Sequence, residues 1–482
     1  EHDWARIWEQ HLEGNVPYML TWLAHQANDP YWRPASVQGQ YDKIACPVFV
    51  IGAWRDGYPN PPLRLFEHLR VPRRVLIGPW DHSRPDAAVP GPRIHYLHEM
   101  RRWFDHWLKG RDTGVMREPP ITVYMQRYDE PRPERQTSSG EWRYVAEWPA
   151  ATPRVLTLFP ADEGELRAEP PAGESVAEYP YVPTVGVAGG LWSGGLPVGL
   201  PSDQRVDEAL SLTFTSAPLN ADVALLGRPR AIIRVSSTAE VAAFVVKLSD
   251  VAPDGKSALI TRGVLNGTRR QSFAEASRMV PGAVYDLSID LDATGWIFDA
   301  GHRVRLTVAS ADFPNCWPTP FPAVNRIWLG GPAPSRLVLP LAPAEPPGSA
   351  RPEFLAAPSG LAAVAEEQGA DPVWEVRDDV IRGTRTVHIE YGRRIRVADG
   401  TEVTEHRRMR STASRTDPAH ATAQGETRVR RTHRGATTEA LALGTLTSSA
   451  QALHLTVDLE VLVEGRPHFH RRWAASFPRL LL

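Results

Sequence analysis

Two side chains stand out as able to do chemistry together. Asp56 lies in Gly52-Ala53-Trp54-Arg55-Asp56-Gly57-Tyr58, and His82 ends Gly78-Pro79-Trp80-Asp81-His82. A carboxylate that fixes an imidazole in one tautomer, and stabilises its protonated form, lets the imidazole take a hydroxyl proton and later return it to a leaving group. That is the acid and base pair of a catalytic triad. Singly, each residue has a plainer use. An Asp in such a turn commonly bonds nearby amides, Asp81 reads as a helix cap or surface charge, and His68, His95, His98 and His106 crowd the same stretch as structural or exposed histidines.

The flanking elements would bring the two together. Pro47 to Gly52 is a continuous apolar run closed by Gly, the pattern of a strand buried on both faces. Leu63, Phe66 and Leu69 follow at helical spacing, then a second apolar strand, Val75 to Gly78. Leu97, Arg101, Phe104 and Leu108 mark another helix from Ile94 to Leu108. Strand, helix, strand, helix at these lengths predicts a βαβα unit in a parallel sheet. Asp56 and His82 then fall at neighbouring carboxyl strand ends, where open α/β sheets place their ligands. Asp before His is also the last part of the order Ser, Asp, His in α/β-hydrolases.

The segment Pro47 to Tyr124, with Gly-Trp-x-Asp-like and Gly-Pro-Trp-x-His stretches and the helix Arg102-Trp103-Phe104-Asp105-His106-Trp107-Leu108-Lys109-Gly110, resembles the end of the catalytic domain in the CocE/NonD family, the serine hydrolases of the cocaine-esterase and X-prolyl dipeptidyl peptidase group. Further stretches extend the likeness: Pro119 to Tyr124, Trp142, Trp148-Pro149, Phe214-Thr215-Ser216-Ala217-Pro218-Leu219, Leu248 to Gly255, Gly301-His302-Arg303-Val304-Arg305-Leu306 and Pro334 to Pro340. Ala53 departs from a glycine that the family often places before Trp. The resemblance implies that Asp56 is the triad acid and His82 its base, that a galactose-binding-like jelly roll packs on the hydrolase part and helps wall the acyl pocket, and that the substrate is a small ester or a peptide cleaved through an acyl-enzyme.

The family's nucleophile sits in a Gly-x-Ser-x-x-Gly elbow upstream of the acid, and no such elbow follows an apolar strand between Glu1 and Asp56. Ser175 lies in a polar loop and Ser257 in a Pro-Asp-Gly turn, so neither fits the role. The Ser nucleophile is therefore absent from the chain, together with the oxyanion donors that accompany it. The expectation is the carboxyl-terminal part of a longer polypeptide, inactive by itself: residues 1–46 end a helical cap (Trp4, Ile7, Trp8 and Leu12 at helical spacing), 47–150 hold the last two parallel strands of the hydrolase, 151–345 a β-sandwich jelly roll, 346–372 a linker with one short helix, and 373–482 a β-rich domain.

Composition narrows the alternatives. The 482 residues are 42% hydrophobic and 23% charged, with net charge −2, ordinary globular values that give no push toward nucleic acid or an anionic membrane. Cys46 and Cys316 make no disulfide framework, and no run of about 18 apolar residues suggests a membrane span. The sequence reading is a cytoplasmic hydrolase without cofactor or metal, its oligomeric state open. Beyond residue 150 short strands separated by Pro-Asp-Gly and Pro-Gly turns predict the sandwich, where Asp250 and His302 read as structural. In the tail, Arg407, Arg408, Arg410, Arg428, Arg430, Arg431 and Arg434 read as solvated strand faces, since no aromatic platform lies among them, and His468 and His470 lack a third metal ligand. The contrasting reading is a non-catalytic carbohydrate-binding or scaffold sandwich, for which Trp192, Trp296, Trp317 and Trp328 are the aromatic candidates by type.

Overall fold

The computed structural model describes residues 2–149, 154–191, 199–345, 348–358, 364–368 and 371–482, without the side chains of residues 2–4 and 364–368. The Trp4 side chain and Trp192 thus lie outside the described residues. Helices α1 (His2–Gly14) and α2 (Tyr18–Ala24) come first, followed by an irregular segment into the first sheet.

Strands β1 (Val48–Ala53) and β2 (Arg73–Gly78) pair in parallel from Val48↔Arg73 to Ala53↔Gly78. Between them α3 (Asn60–His68) starts on Pro61 and Pro62, whose fixed φ suits a first turn, and buries Leu63 and Phe66. After β2, α4 (Tyr96–Lys109) buries Trp103 and stops at Gly110, whose φ of 64° is the left-handed cap that glycine adopts without strain.

The sequence reading of two parallel strands is one short. Strand β3 (Ile121–Arg127) returns from α4 to pair in parallel with β2, from Val75↔Ile121 to Ile77↔Val123, and β4 (Gly140–Val145) adds antiparallel to it. A helix leaving one parallel strand is a crossover and needs a further strand to reach. The sheet also extends into the later chain. Strand Thr294–Phe298 pairs parallel to β3 at Trp296↔Gln126 and Ile297↔Arg127, and antiparallel to Val223–Gly227, which completes six strands.

Eleven strands form one connected sheet in the region expected as the sandwich (hereafter the sandwich), around a core that includes Phe214, Ile233, Phe244, Leu306 and Leu337. An eight-stranded antiparallel sheet follows, its long strands running consecutively from Thr384–Val397 to Arg466–Pro478. Its first strand, Val364–Gln368, falls where the sequence reading placed a linker with a short helix; no helix occurs there among the described residues. Val387, Ile389 and Ala413 of this sheet pack on Phe313 of the sandwich. The opening helices dock on its last strand, with Trp8 stacked on His468 at 5.0 Å and Arg471 donating to the Glu13 carbonyl.

Gly78, the last residue of β2, is where backbone and site are most tightly coupled: a Cβ there would sit 2.4 Å from the buried Trp80 ring. Gly78→Ala should displace Trp80 and destabilise the chain by about 1–3 kcal/mol, while Gly14→Ala, with nothing within 4 Å, should leave stability within about 0.5 kcal/mol. Chemical denaturation of both variants checks this.

Candidate active site

The pairing of β1 with β2 continues past their ends. Trp54 N donates to Gly78 O at 2.9 Å and Arg55 N to Trp80 O at 3.0 Å, so the chains carrying Asp56 and His82 leave the sheet side by side. His82 Nδ1 lies 3.0 Å from Asp56 Oδ2 and 3.1 Å from Oδ1. Asp56 Oδ1 also accepts from Tyr58 N at 2.9 Å, and the Tyr58 ring stands edge-on to the imidazole, centroids 5.8 Å apart. The turn-forming use of Asp56 and its ionic use therefore coexist. The Asp56 side chain is 17% exposed and that of His82 59%. With Nδ1–H donating to the carboxylate, Nε2 is the acceptor that faces outward, the arrangement a general base requires.

No serine among the described residues bonds His82. Ser83 bonds Asp81 instead. Ser257 is fully buried and donates to Glu208 at 2.6 Å, and Ser175 donates to Asp162 at 2.8 Å. Cys316 is no substitute nucleophile, since burial, with the charge of Asp312 next, pushes its thiol up to about 12.

A cavity of about 60 Å³ opens beside Asp56. Its near wall is Trp54, Arg55 and Pro59; its far wall comes from the sandwich, chiefly Gly189, Leu259 and Arg262. Three contacts fix the near wall, two to β3 and the third across to the far wall. Trp54 Nε1 donates to Tyr124 O at 2.7 Å, Arg55 Nε to Gln126 Oε1 at 3.1 Å, and Arg55 Nη1 to Leu259 O at 3.1 Å. Arg262 Nη1 donates to Gly189 O at 2.9 Å. The turn containing Gly189 is itself pinned from behind, because Asp207 accepts from Gly186 N and Ala188 N while Lys247 lies buried 2.9 Å from Asp312 and 3.5 Å from Asp207. None of these sandwich residues was legible as a site residue. They are separated from Asp56 by more than a hundred positions, and the strand Thr294–Phe298, which lies between sandwich strands in sequence, pairs with the end of β3.

The remaining sequence candidates have structural partners. His302 Nδ1 is 2.7 Å from Asp250 Oδ1, Trp296 Nε1 donates to Asp250 Oδ2 at 3.0 Å, and Tyr128 meets the imidazole edge-on. Burial drives the Asp250 carboxyl up to about 6, against the lowering effect of those bonds. His468 Nε2 is engaged by Glu9 at 2.7 Å, and His470 lies 3.9 Å from Asp458. Several of the tail arginines pair across strands, as Arg408 does with Glu390 and Arg428 with Glu439. Trp296 is 1% exposed and Trp317 donates to Ser448 at 3.0 Å, so with Trp328 only partly exposed they form no exposed aromatic row.

A parallel sheet flanked by helices, with Asp and His at adjacent strand ends and a β-rich part behind, is an α/β-hydrolase-type architecture. Solved structures agree on the fold: an α-amino acid ester hydrolase superimposes with TM-score 0.58 at 20% identity, covering 68% of this chain and 61% of that one, and an aminopeptidase from a marine sediment Thaumarchaeota archaeon with TM-score 0.56 at 22% identity, covering 67% and 60%. Residues 2–84 match the family model of X-Pro dipeptidyl-peptidase (S15 family), and residues 113–333 that of the X-Pro dipeptidyl-peptidase C-terminal non-catalytic domain. The chain belongs to this CocE/NonD and X-prolyl dipeptidyl peptidase family of hydrolases. Curated relatives include a Mycobacterium tuberculosis protein named as a serine esterase, 28% identical over 324 residues (60% of this chain, 49% of the relative), and the cocaine esterase of Rhodococcus sp. (strain MB1 Bresler), 26% identical over 380 residues (69% and 63%). The chain thus spans about half the length of the mycobacterial relative.

The raised Asp250 carboxyl gives a signed pH effect. Between its ordinary value of 3.8 and about 6, the folded chain holds a proton that the unfolded chain has lost, so this group's contribution to stability falls as pH rises through that window. Relative to Asp250→Asn, the wild type should gain stability as pH drops from about 6 toward 4, by up to about 1.4 kcal/mol per pH unit. Urea unfolding of both proteins across the window measures it.

Proposed function

We propose that this chain carries the acid and base of a serine acyl hydrolase that cleaves an ester or amide through an acyl-enzyme. The observation that carries the reading is the Asp56–His82 contact at neighbouring ends of parallel strands, with Asp56 in the wall of a cavity. In this account His82 Nε2 removes the proton of an attacking serine hydroxyl, Asp56 stabilises the imidazolium that results, and the imidazolium protonates the departing alkoxide or amine. A water molecule then repeats the cycle on the acyl-enzyme. The serine and its oxyanion donors come from outside these 482 residues, and the sandwich, in jelly-roll connectivity, closes the acyl side of the site. Names of relatives support the two branches: esterase, after the mycobacterial and Rhodococcus proteins, and dipeptidyl peptidase, after the S15 family model.

The chain alone should hydrolyse p-nitrophenyl acetate no faster than free imidazole does. Turnover above that background, abolished by His82→Ala, would refute the assignment of the missing nucleophile. In a longer polypeptide that supplies the serine, His82→Ala should lower kcat by about 10⁶-fold, and Asp56→Asn by about 10⁴-fold, with KM nearly unchanged. Comparing Ala-Pro-p-nitroanilide with aryl esters on that protein separates the two branches.

A further inference from the structure

The charges around the cavity beside Asp56 are unequal in how far they are already met. It has two carboxylates in its wall, Asp56 and Asp292. Asp56 is engaged by His82. Asp292 is already committed: it accepts from Asn60 Nδ2 at 2.6 Å, Asn60 Oδ1 accepts in turn from Ala293 N, and burial holds the Asp292 carboxyl above its ordinary value. Two guanidiniums share the wall, Arg55 and Arg262. Arg262 is 3.7 Å from Asp312, which also neutralises Lys247.

Arg55 is different. Its hydrogen-bond acceptors are neutral, the Gln126 side-chain oxygen and the Leu259 carbonyl, with the Trp296 ring 5.8 Å from its guanidinium carbon. Burial, and after it the like charge of Arg135, push its guanidinium down to about 9, with Asp129 as the only opposing carboxylate of note. A partly buried cation hydrogen-bonded only to neutral groups costs free energy that an incoming anion would offset, and the guanidinium fork is shaped to take a carboxylate in two parallel hydrogen bonds. The volume, room for roughly four waters, suits a short acyl chain.

We infer that this cavity selects acyl groups that end in a carboxylate, held by Arg55 with Arg262 beside it, and turns away groups that end in an ammonium. The inference rests on the reading of the cavity as the acyl side of the hydrolase site. It sets this chain against substrates with a free amino terminus, for which no uncommitted carboxylate stands in the wall among the described residues.

Binding tests it without turnover. Ligand-observed NMR on the 482-residue chain would compare monomethyl succinate, methyl butyrate and methyl 4-aminobutyrate, which are similar in size and differ in charge. Monomethyl succinate should bind at least about tenfold more tightly than methyl butyrate, and the amino ester most weakly. Arg55→Gln should erase the preference, Arg55→Lys should keep part of it, and His82→Ala should leave the order unchanged. Equal binding, tightest binding of the amino ester, no binding of the carboxylate, or an undiminished preference in Arg55→Gln would each overturn the inference. If melting shows that Arg55→Gln does not fold, the wild-type ranking and its reduction in Arg55→Lys decide. A hydrolase reading that failed would leave this ranking intact, and a failed ranking would leave hydrolysis untouched.

Discussion

The backbone pairing of β3 with strand Thr294–Phe298 is the constraint on which the rest of the architecture hangs. Parallel strands expose peptide groups at every unpaired edge, and such edges are normally covered. Here β2 occupies the first half of one edge of β3, and a strand that arrives from the sandwich occupies the second half. The sandwich is thereby joined to the sheet by hydrogen bonds as well as by side-chain packing. Trp54, Arg55 and Trp296 fill the angle, and the cavity is the space they leave beside Asp56.

That junction explains how a site can be assembled from two parts of different character. The parallel sheet supplies direction: its strands deliver Asp56 and His82 to one edge, with their geometry set by the continuing pairs Trp54–Gly78 and Arg55–Trp80. The sandwich supplies the wall. Its contribution is fixed by buried charge, Lys247 between Asp207 and Asp312, which holds the Gly186–Gly189 turn by two carboxylate-to-amide bonds. Such buried ion pairs do little for net stability, yet breaking one is costly, so they serve position better than strength.

What the sequence showed, and what it hid, divides along locality. Val48–Ala53, Arg73–Gly78, α3 and α4 are legible as elements because their lengths and end signals are local, and the Asp56–His82 pair follows from their order. Their burial is less so: the stripe Leu97, Phe104 and Leu108 of α4 is exposed while Trp103 is buried, and Val48–Ala53 is only partly buried rather than covered on both faces. The third parallel strand is hidden because Ile121 to Tyr124 is a short run behind two prolines, although α4 as a crossover requires it. The linkage through Thr294–Phe298 could not be read from its letters, since Thr-Gly-Trp-Ile-Phe fits a sandwich strand equally well. Arg55 shows in the sequence only as a spacer in the motif, because its partners, Gln126 and Leu259, are 71 and 204 positions away.

The most direct test of the account is a covalent one. The polypeptide expressed from the start of its reading frame would be treated with a fluorophosphonate and mapped by peptide mass spectrometry. The account predicts one labelled serine, in a Gly-x-Ser-x-x-Gly segment ahead of the residues numbered here, and loss of that label in His82→Ala. A label on a serine within residues 1–482, or one that forms at an unchanged rate in His82→Ala, would contradict the role given to Asp56 and His82.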